Sequence, residues 1–105
     1  MRYKNNETRR VLAYLLSVYA VGAANAKKVD FFRRKLLEEY GYNVGKSGIA
    51  KTLASHPRVG FIDSRHGGYY LITTRAEADK TAEALEKRAQ ALSERAAHIR
   101  ALYPR

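Results

Sequence analysis

Between residues 46 and 66, basic and hydroxyl side chains recur at short spacing: Lys46, Ser47, Lys51, Thr52, Ser55, His56, Arg58, Arg65 and His66. Groups of this kind donate charge-assisted hydrogen bonds, and the chemistry they suit is the neutralisation of an anion such as phosphate. Arg33 and Arg34 add two adjacent cations upstream. Over the whole chain, 20 Lys and Arg face 10 Asp and Glu, for a formal charge of +10. The excess is concentrated early: residues 1–74 carry 13 basic and 5 acidic side chains, residues 75–105 carry 7 and 5. Nucleic acid is the leading anionic partner for such a surface.

Other chemistries fit the residues poorly. There is no cysteine, which removes disulfide scaffolds, thiolate metal sites and thiol nucleophiles, and is compatible with a reducing cytoplasm. His56, His66 and His98 share neither an element nor ligand spacing, so no metal site and no cofactor is expected. Gly41-Tyr42-Asn43-Val44-Gly45-Lys46-Ser47 approaches a phosphate loop, but that motif needs four residues between its glycines and a preceding buried strand. Here three residues intervene, and the segment before them is helical in pattern. Glu38 and Glu39 are adjacent on a helix and point to different faces, so no catalytic constellation is visible and an enzyme is not expected. No small-molecule ligand is evident. The apolar run Val11 to Ala24, followed by Ala24-Asn25-Ala26, imitates a secretory signal peptide, but Tyr14, Ser17 and Tyr19 interrupt it. The run is also short for a membrane span, so the expectation is a cytoplasmic, nucleoid-associated protein with no membrane partner.

The elements that must position these residues follow from periodicity and punctuation. With 105 residues there is room for one core. Asn5 or Asn6 can cap a first helix, with Val11, Leu15, Val18 and Gly22 at helical spacing and Leu12, Leu16 and Tyr19 beside them. Asn25 to Lys28 reads as a connector. Asp30 is placed to cap a second helix that runs through Phe32, Leu36 and Tyr40 to Gly41. A third helix starts near Lys46 or Ser47, buries Ile49 and Leu53, and stops at His56, because Pro57 disfavours helical geometry there. Val59, Phe61 and Ile62, then a polar loop ending in Gly67-Gly68, then Tyr69 to Ile72, spell a hairpin in which one of the two tyrosines belongs to the core.

Thr74 and Glu77 have the spacing of a capping box and open a last helix that ends at Pro104. Along it Ala78, Ala82, Leu85, Ala89, Leu92, Ala96, Ile99 and Tyr103 alternate in steps of four and three, the repeat of a coiled-coil seam. The expected fold is mainly α with a small β-hairpin, divided into residues 1–73 as a compact domain and 74–105 as a dimerisation helix that pairs two copies. A bland alternative folds that helix back onto its own domain.

The run Val44-Gly45-Lys46-Ser47-Gly48-Ile49-Ala50-Lys51-Thr52-Leu53, followed by the hairpin, resembles the winged helix-turn-helix superfamily. Gly67-Gly68-Tyr69-Tyr70-Leu71, followed by an Ala- and Arg-rich heptad helix, is similar to small phage and prophage winged-helix proteins. The resemblance implies double-stranded DNA binding, as a transcriptional regulator or a nucleoid or phage architectural protein. It places the third helix in the major groove with Lys46, Ser47, Lys51, Thr52, Ser55 and His56 as candidates, and the second helix across the backbone with Arg33 and Arg34. Arg58 at the root of the hairpin and Arg65 and His66 at its tip would add charge, an Arg in a narrow minor groove reading shape. Two alternatives stay open: a protein-interaction module built on the same scaffold, and an RNA or single-strand binder using Tyr69 or Tyr70 for stacking.

Overall fold

The computed structural model describes residues 5–62 and 67–102. It is mainly helical, with one antiparallel hairpin and a long C-terminal helix: α1 (Asn5–Tyr19), α2 (Val29–Tyr40), α3 (Lys46–Ser55), β1 (Val59–Phe61), β2 (Tyr69–Leu71) and α4 (Arg75–Leu102). Apolar residues ring much of α1, so periodicity alone predicts a helix without choosing its inner face. The face that turns inward is Thr8, Leu12, Leu15 and Leu16, whereas Val18, expected inside, is half exposed at 50%. Phe32 and Leu36 of α2, Val44, and Ile49 and Leu53 of α3 close against it to make the core. Each such side chain contributes about 1.5–3 kcal/mol by leaving water.

Helix ends follow local chemistry. Gly41 takes a left-handed conformation (φ 69°), donating its N–H to Leu37 O at 3.1 Å, and Tyr42 donates to Leu36 O at 3.0 Å. Asp30 is not the cap of α2: that position belongs to Lys28, and Asp30 lies in the first turn, where a carboxylate still favours the positive helix end. α3 ends before Pro57 as expected. At the start of α4, Thr74 Oγ1 accepts the Glu77 N–H at 3.2 Å, the expected half of a capping box. The Glu77 carboxylate reaches one residue further back than that motif requires, to the Thr73 N–H at 2.8 Å and the Thr73 hydroxyl at 3.0 Å.

The connector between α1 and α2 proves to be part of the sheet. β1 and β2 pair with Gly60 opposite Tyr70. The other edge of β2 is taken by residues 20–27, in which Leu71 donates to Ala20 O (2.7 Å), Gly22 to Leu71 O (2.9 Å), and Lys27 and Tyr69 exchange both of their hydrogen bonds (2.9 and 2.8 Å). A single 3-10 turn, Ala23–Asn25, bulges between these contacts. The Ala23 N–H donates to Glu77 Oε2 at 2.7 Å, so one carboxylate ties connector, β2 exit and α4 together. Two glycines allow the close approaches. At Gly68 a side chain would meet the Lys27 backbone at 2.6 Å, and at Gly60 it would meet the Tyr70 ring at 2.7 Å.

Tyr70 is the buried tyrosine of the pair, 2% exposed. α4 joins the domain through Thr81 and Ala84, both buried, and through Arg88, whose guanidinium lies 4.4 Å from the centre of the Phe61 ring. Beyond Arg88 the helix projects: Leu92, Ile99 and Leu102 are 66%, 47% and 60% exposed. No helix among the described residues is long and apolar enough to cross a membrane.

Candidate nucleic-acid interface

Three of the predicted cations are gathered by one carboxylate. Asp30, on the first turn of α2, accepts from Arg33 at 2.9 Å (Nη2) and 3.3 Å (Nε), while Arg34 Nε lies 3.8 Å away on the other oxygen. Lys46, the first residue of α3, brings its Nζ to 3.7 Å of the same group. The i, i+3 and i, i+4 spacing places both arginines beside Asp30 on the helix surface, and the short link Gly41–Gly45 brings the start of α3 up to the same point. The result is a cluster of three cations on one anion at the junction of α2 and α3. The Arg33 hydrogen bond holds the Asp30 carboxyl below its usual range, with the charges of Arg33, Lys46 and Arg34 acting in the same direction against desolvation. Arg34 and Lys46 remain 64% and 65% exposed. Their contacts with Asp30 are long and solvated, so each cation is free to turn to an outside anion at little cost.

The remaining α3 candidates divide by their contacts. Ile49 and Leu53 define the inner face, leaving Ser47, Lys51 and Ser55 exposed on the outer one. Lys46 points towards α2 rather than outward with Lys51, so the two lysines serve different sides of the helix. Thr52 is half-buried, with its hydroxyl donating to Gly48 O at 2.9 Å, and the Ser55 hydroxyl donates to Thr52 O at 2.8 Å. Both hydroxyls therefore spend their proton on their own helix and face a ligand only as acceptors. His56 Nδ1 accepts the Arg58 N–H at 3.1 Å, which makes it a cap for the turn around Pro57. Arg58 is exposed, one residue before β1. Arg65 and His66 lie outside the described residues, as does Tyr103 of the seam.

Lys35, next to the two arginines, is drawn away from them. It is bonded to Glu39 at 3.1 Å, which raises its pKa, and its ammonium lies over the rings of Tyr19 and Phe31 at 5.0 and 5.8 Å. Lys27 also lies over the Phe31 ring, at 5.5 Å from its centre. Sequence reasoning missed the role of Asp30 as the centre of the cluster. The Asp-x-x-Arg-Arg spacing was the available signal for two of its partners; nothing in the sequence pointed to Lys46 as the third.

The seam residues are unevenly placed. Ala78 is half-buried at the domain, Ala82 and Ala89 are exposed, Leu85 is 51% exposed beside the hairpin, and Ala96 is half-buried among exposed neighbours. The face that packs on the domain, Thr81, Ala84 and Arg88, runs beside the seam rather than along it, so the stripe is left open. Ile62, 41% exposed, lines the same cleft as Leu85 and Arg88. Among the described residues no group of three or more His, Asp or Glu is placed to hold a metal ion. No protein family matches the chain, and no curated protein or solved structure matches it either.

Proposed function

We propose that the chain binds double-stranded DNA through a winged helix-turn-helix domain, residues 1–73, and does so as a homodimer paired through α4. The observation that carries this reading is the convergence of Arg33, Arg34 and Lys46 where α2 meets α3, on a chain of formal charge +10. The order of elements supports it as well: a helix, an extended connector paired to the sheet, two helices, a hairpin, then a closing helix. In this arrangement α3 presents Ser47, Lys51 and Ser55 to the major groove, and the cluster at its start grips backbone phosphates together with α2. Arg58 extends the cationic surface, and Arg65 and His66 are assigned the same phosphate-binding role from their charge. α3 carries no Arg, Asn or Gln, the side chains that read guanine and adenine in pairs, so contact with the backbone dominates over base identity.

The test is fluorescence anisotropy of a labelled duplex, a single strand and an RNA over a salt series. Duplex binding should fall with salt at a logarithmic slope of about 0.9 per phosphate contact, and Lys46→Ala with Lys51→Ala should lower that slope by about 2 while the circular dichroism stays unchanged. An unchanged slope removes α3 from the interface. One observation favours a second reading, a protein-interaction module: Tyr14 and Val18, one turn apart on α1, are 57% and 50% exposed. No binding to any nucleic acid at low salt would turn the assignment that way.

A further inference from the structure

Past Arg88, α4 offers an apolar stripe with nothing against it among the described residues. In the seam's register, Ala82, Ala89 and Ala96 form one column, the heptad a positions, and Leu85, Leu92 and Ile99 the other, the d positions. We infer that the second copy lies antiparallel on this stripe, centred near Glu94, so that Leu92 packs on Ala96 of the second copy and Ala89 on its Ile99. This rests on the dimer proposed above and adds its direction and register.

Two independent features of the helix lead to that choice. The first is volume. A parallel pair stacks like on like, so layers of two alanines alternate with layers of two leucines or isoleucines. No single separation of the helices fills both, and core layers favour large residues facing small ones. An antiparallel pair sets a large residue against an alanine in the layers Leu92–Ala96 and Ala89–Ile99, and one helix separation then serves both. The second is charge. In a parallel pair the flanking positions bring Arg95 against Arg100 of the second copy on both sides, with no opposite-charge pair to offset them. Centred near Glu94, the antiparallel pair sets Glu86 against Arg100 of the second copy twice, and leaves one Arg95–Arg95 contact near the two-fold axis. Among the described residues neither Glu86 nor Arg100 has an ion-pair partner within the chain. Sliding the antiparallel pair one heptad towards the domain exchanges the Glu86–Arg100 match for Asp79–Arg100, in which Asp79 is already bound to Arg75 at 3.0 Å, and sets Arg88 against Arg95 of the second copy twice.

Residues 75–102 carry six basic and five acidic side chains, so α4 is nearly neutral while the rest of the chain is strongly cationic. It is the part of the surface on which two such chains approach each other without strong repulsion. The register also uses the exposed segment fully: overlap runs from Leu85 to Leu102, and Leu102 of the second copy arrives beside Arg88, over the cleft between Leu85 and Ile62.

The chain has no cysteine, so introduced ones report cleanly. Ala89→Cys and Ile99→Cys are prepared singly and mixed, then oxidised. In the antiparallel register Cys at 89 faces Cys at 99 of the other copy, while two copies of position 89 are about 15 Å apart along the axis, too far for a disulfide. The expected result is a covalent dimer in the mixture and none in either variant alone. Covalent dimers from Ala89→Cys alone mean a parallel pair and overturn the inference while leaving the dimer intact; a dimer by sedimentation that cross-links in no arm overturns the register. A chain that sediments as a monomer overturns the dimer itself, and with it this proposal. As a second readout, Glu86→Arg should weaken dimerisation several-fold and Glu86→Arg with Arg100→Glu should restore it; no restoration counts against the pairing.

Discussion

Replacing Gly68 by Ala tests whether the α1–α2 connector is held to the hairpin as described. The added methyl would sit 2.6 Å from Lys27 O, 2.7 Å from its carbonyl carbon and 3.1 Å from its nitrogen. All three are backbone atoms, so no side-chain rotation relieves the contact. Restoring ordinary van der Waals separation requires the connector to retreat by about 0.8 Å or more. That stretches the two Lys27–Tyr69 hydrogen bonds, now 2.9 and 2.8 Å, beyond hydrogen-bonding range. Overpacking costs about 1–3 kcal/mol and each of the two lost bonds about 1 kcal/mol, so the expected loss is about 3–5 kcal/mol. For a chain of this size the melting temperature falls by roughly 12–20 °C. Urea denaturation followed by circular dichroism measures the loss, and hydrogen exchange at the Lys27 and Tyr69 amides locates it. A loss below about 0.5 kcal/mol with both amides still protected would refute the account of this junction.

Gly48→Ala should act in the opposite sense: its methyl meets only Val44 Cγ1 at an ordinary 3.6 Å, and alanine in a helix gains about 0.5–1 kcal/mol over glycine, visible as a raised denaturation midpoint. Glu77→Gln tests the carboxylate that joins connector and α4. The Ala23 N–H, then the Thr73 N–H, hold the Glu77 pKa below its ordinary value, so its contribution is fully present above the unfolded pKa, about 4.3, and is lost as pH falls through the lower folded pKa. The variant should therefore melt below the parent at pH 7, with the gap closing as the pH is taken below about 4. Leu85→Lys with Leu92→Lys should leave helicity unchanged, because both sites are more than half exposed, and should convert a dimer to a monomer in sedimentation.

Most of the elements could be read from residue type and spacing because their signals are local. Gly41, Pro57 and the Thr74–Glu77 pair mark helix ends through the backbone geometry or hydrogen bonds they impose. The inner face of α1 was less legible, since Ala13 and Tyr14 join Val11, Leu12, Leu15, Leu16, Val18 and Tyr19 to cover well over half of the helix. Which third of that ring turned inward was decided by what packs against it, and the choice drew in Thr8 and left Val18 out. The pairing of residues 20–27 with β2 had no local signal, for Ala, Gly and Asn in that stretch give no alternation of apolar and polar positions. In the candidate site the cations were legible as types and their grouping only in part. Asp30 pairs with Arg33 and Arg34 through helix spacing, whereas its approach to Lys46 depends on how α2 and α3 cross.

The strand that receives the connector is made long after the connector itself. While the chain is being synthesised, Ala20 to Lys27 emerge with their amide and carbonyl groups bare on one side until Tyr69 to Leu71 follow, and the Ala23 amide waits longer still for Glu77. The helices can gather locally in that interval, but the sheet closes across more than forty residues and is the slow event. A polypeptide released before Leu71 would carry an uncovered strand-like edge of the kind that recruits neighbouring chains into aggregates. Forms truncated before Leu71 should therefore aggregate rather than stay in solution.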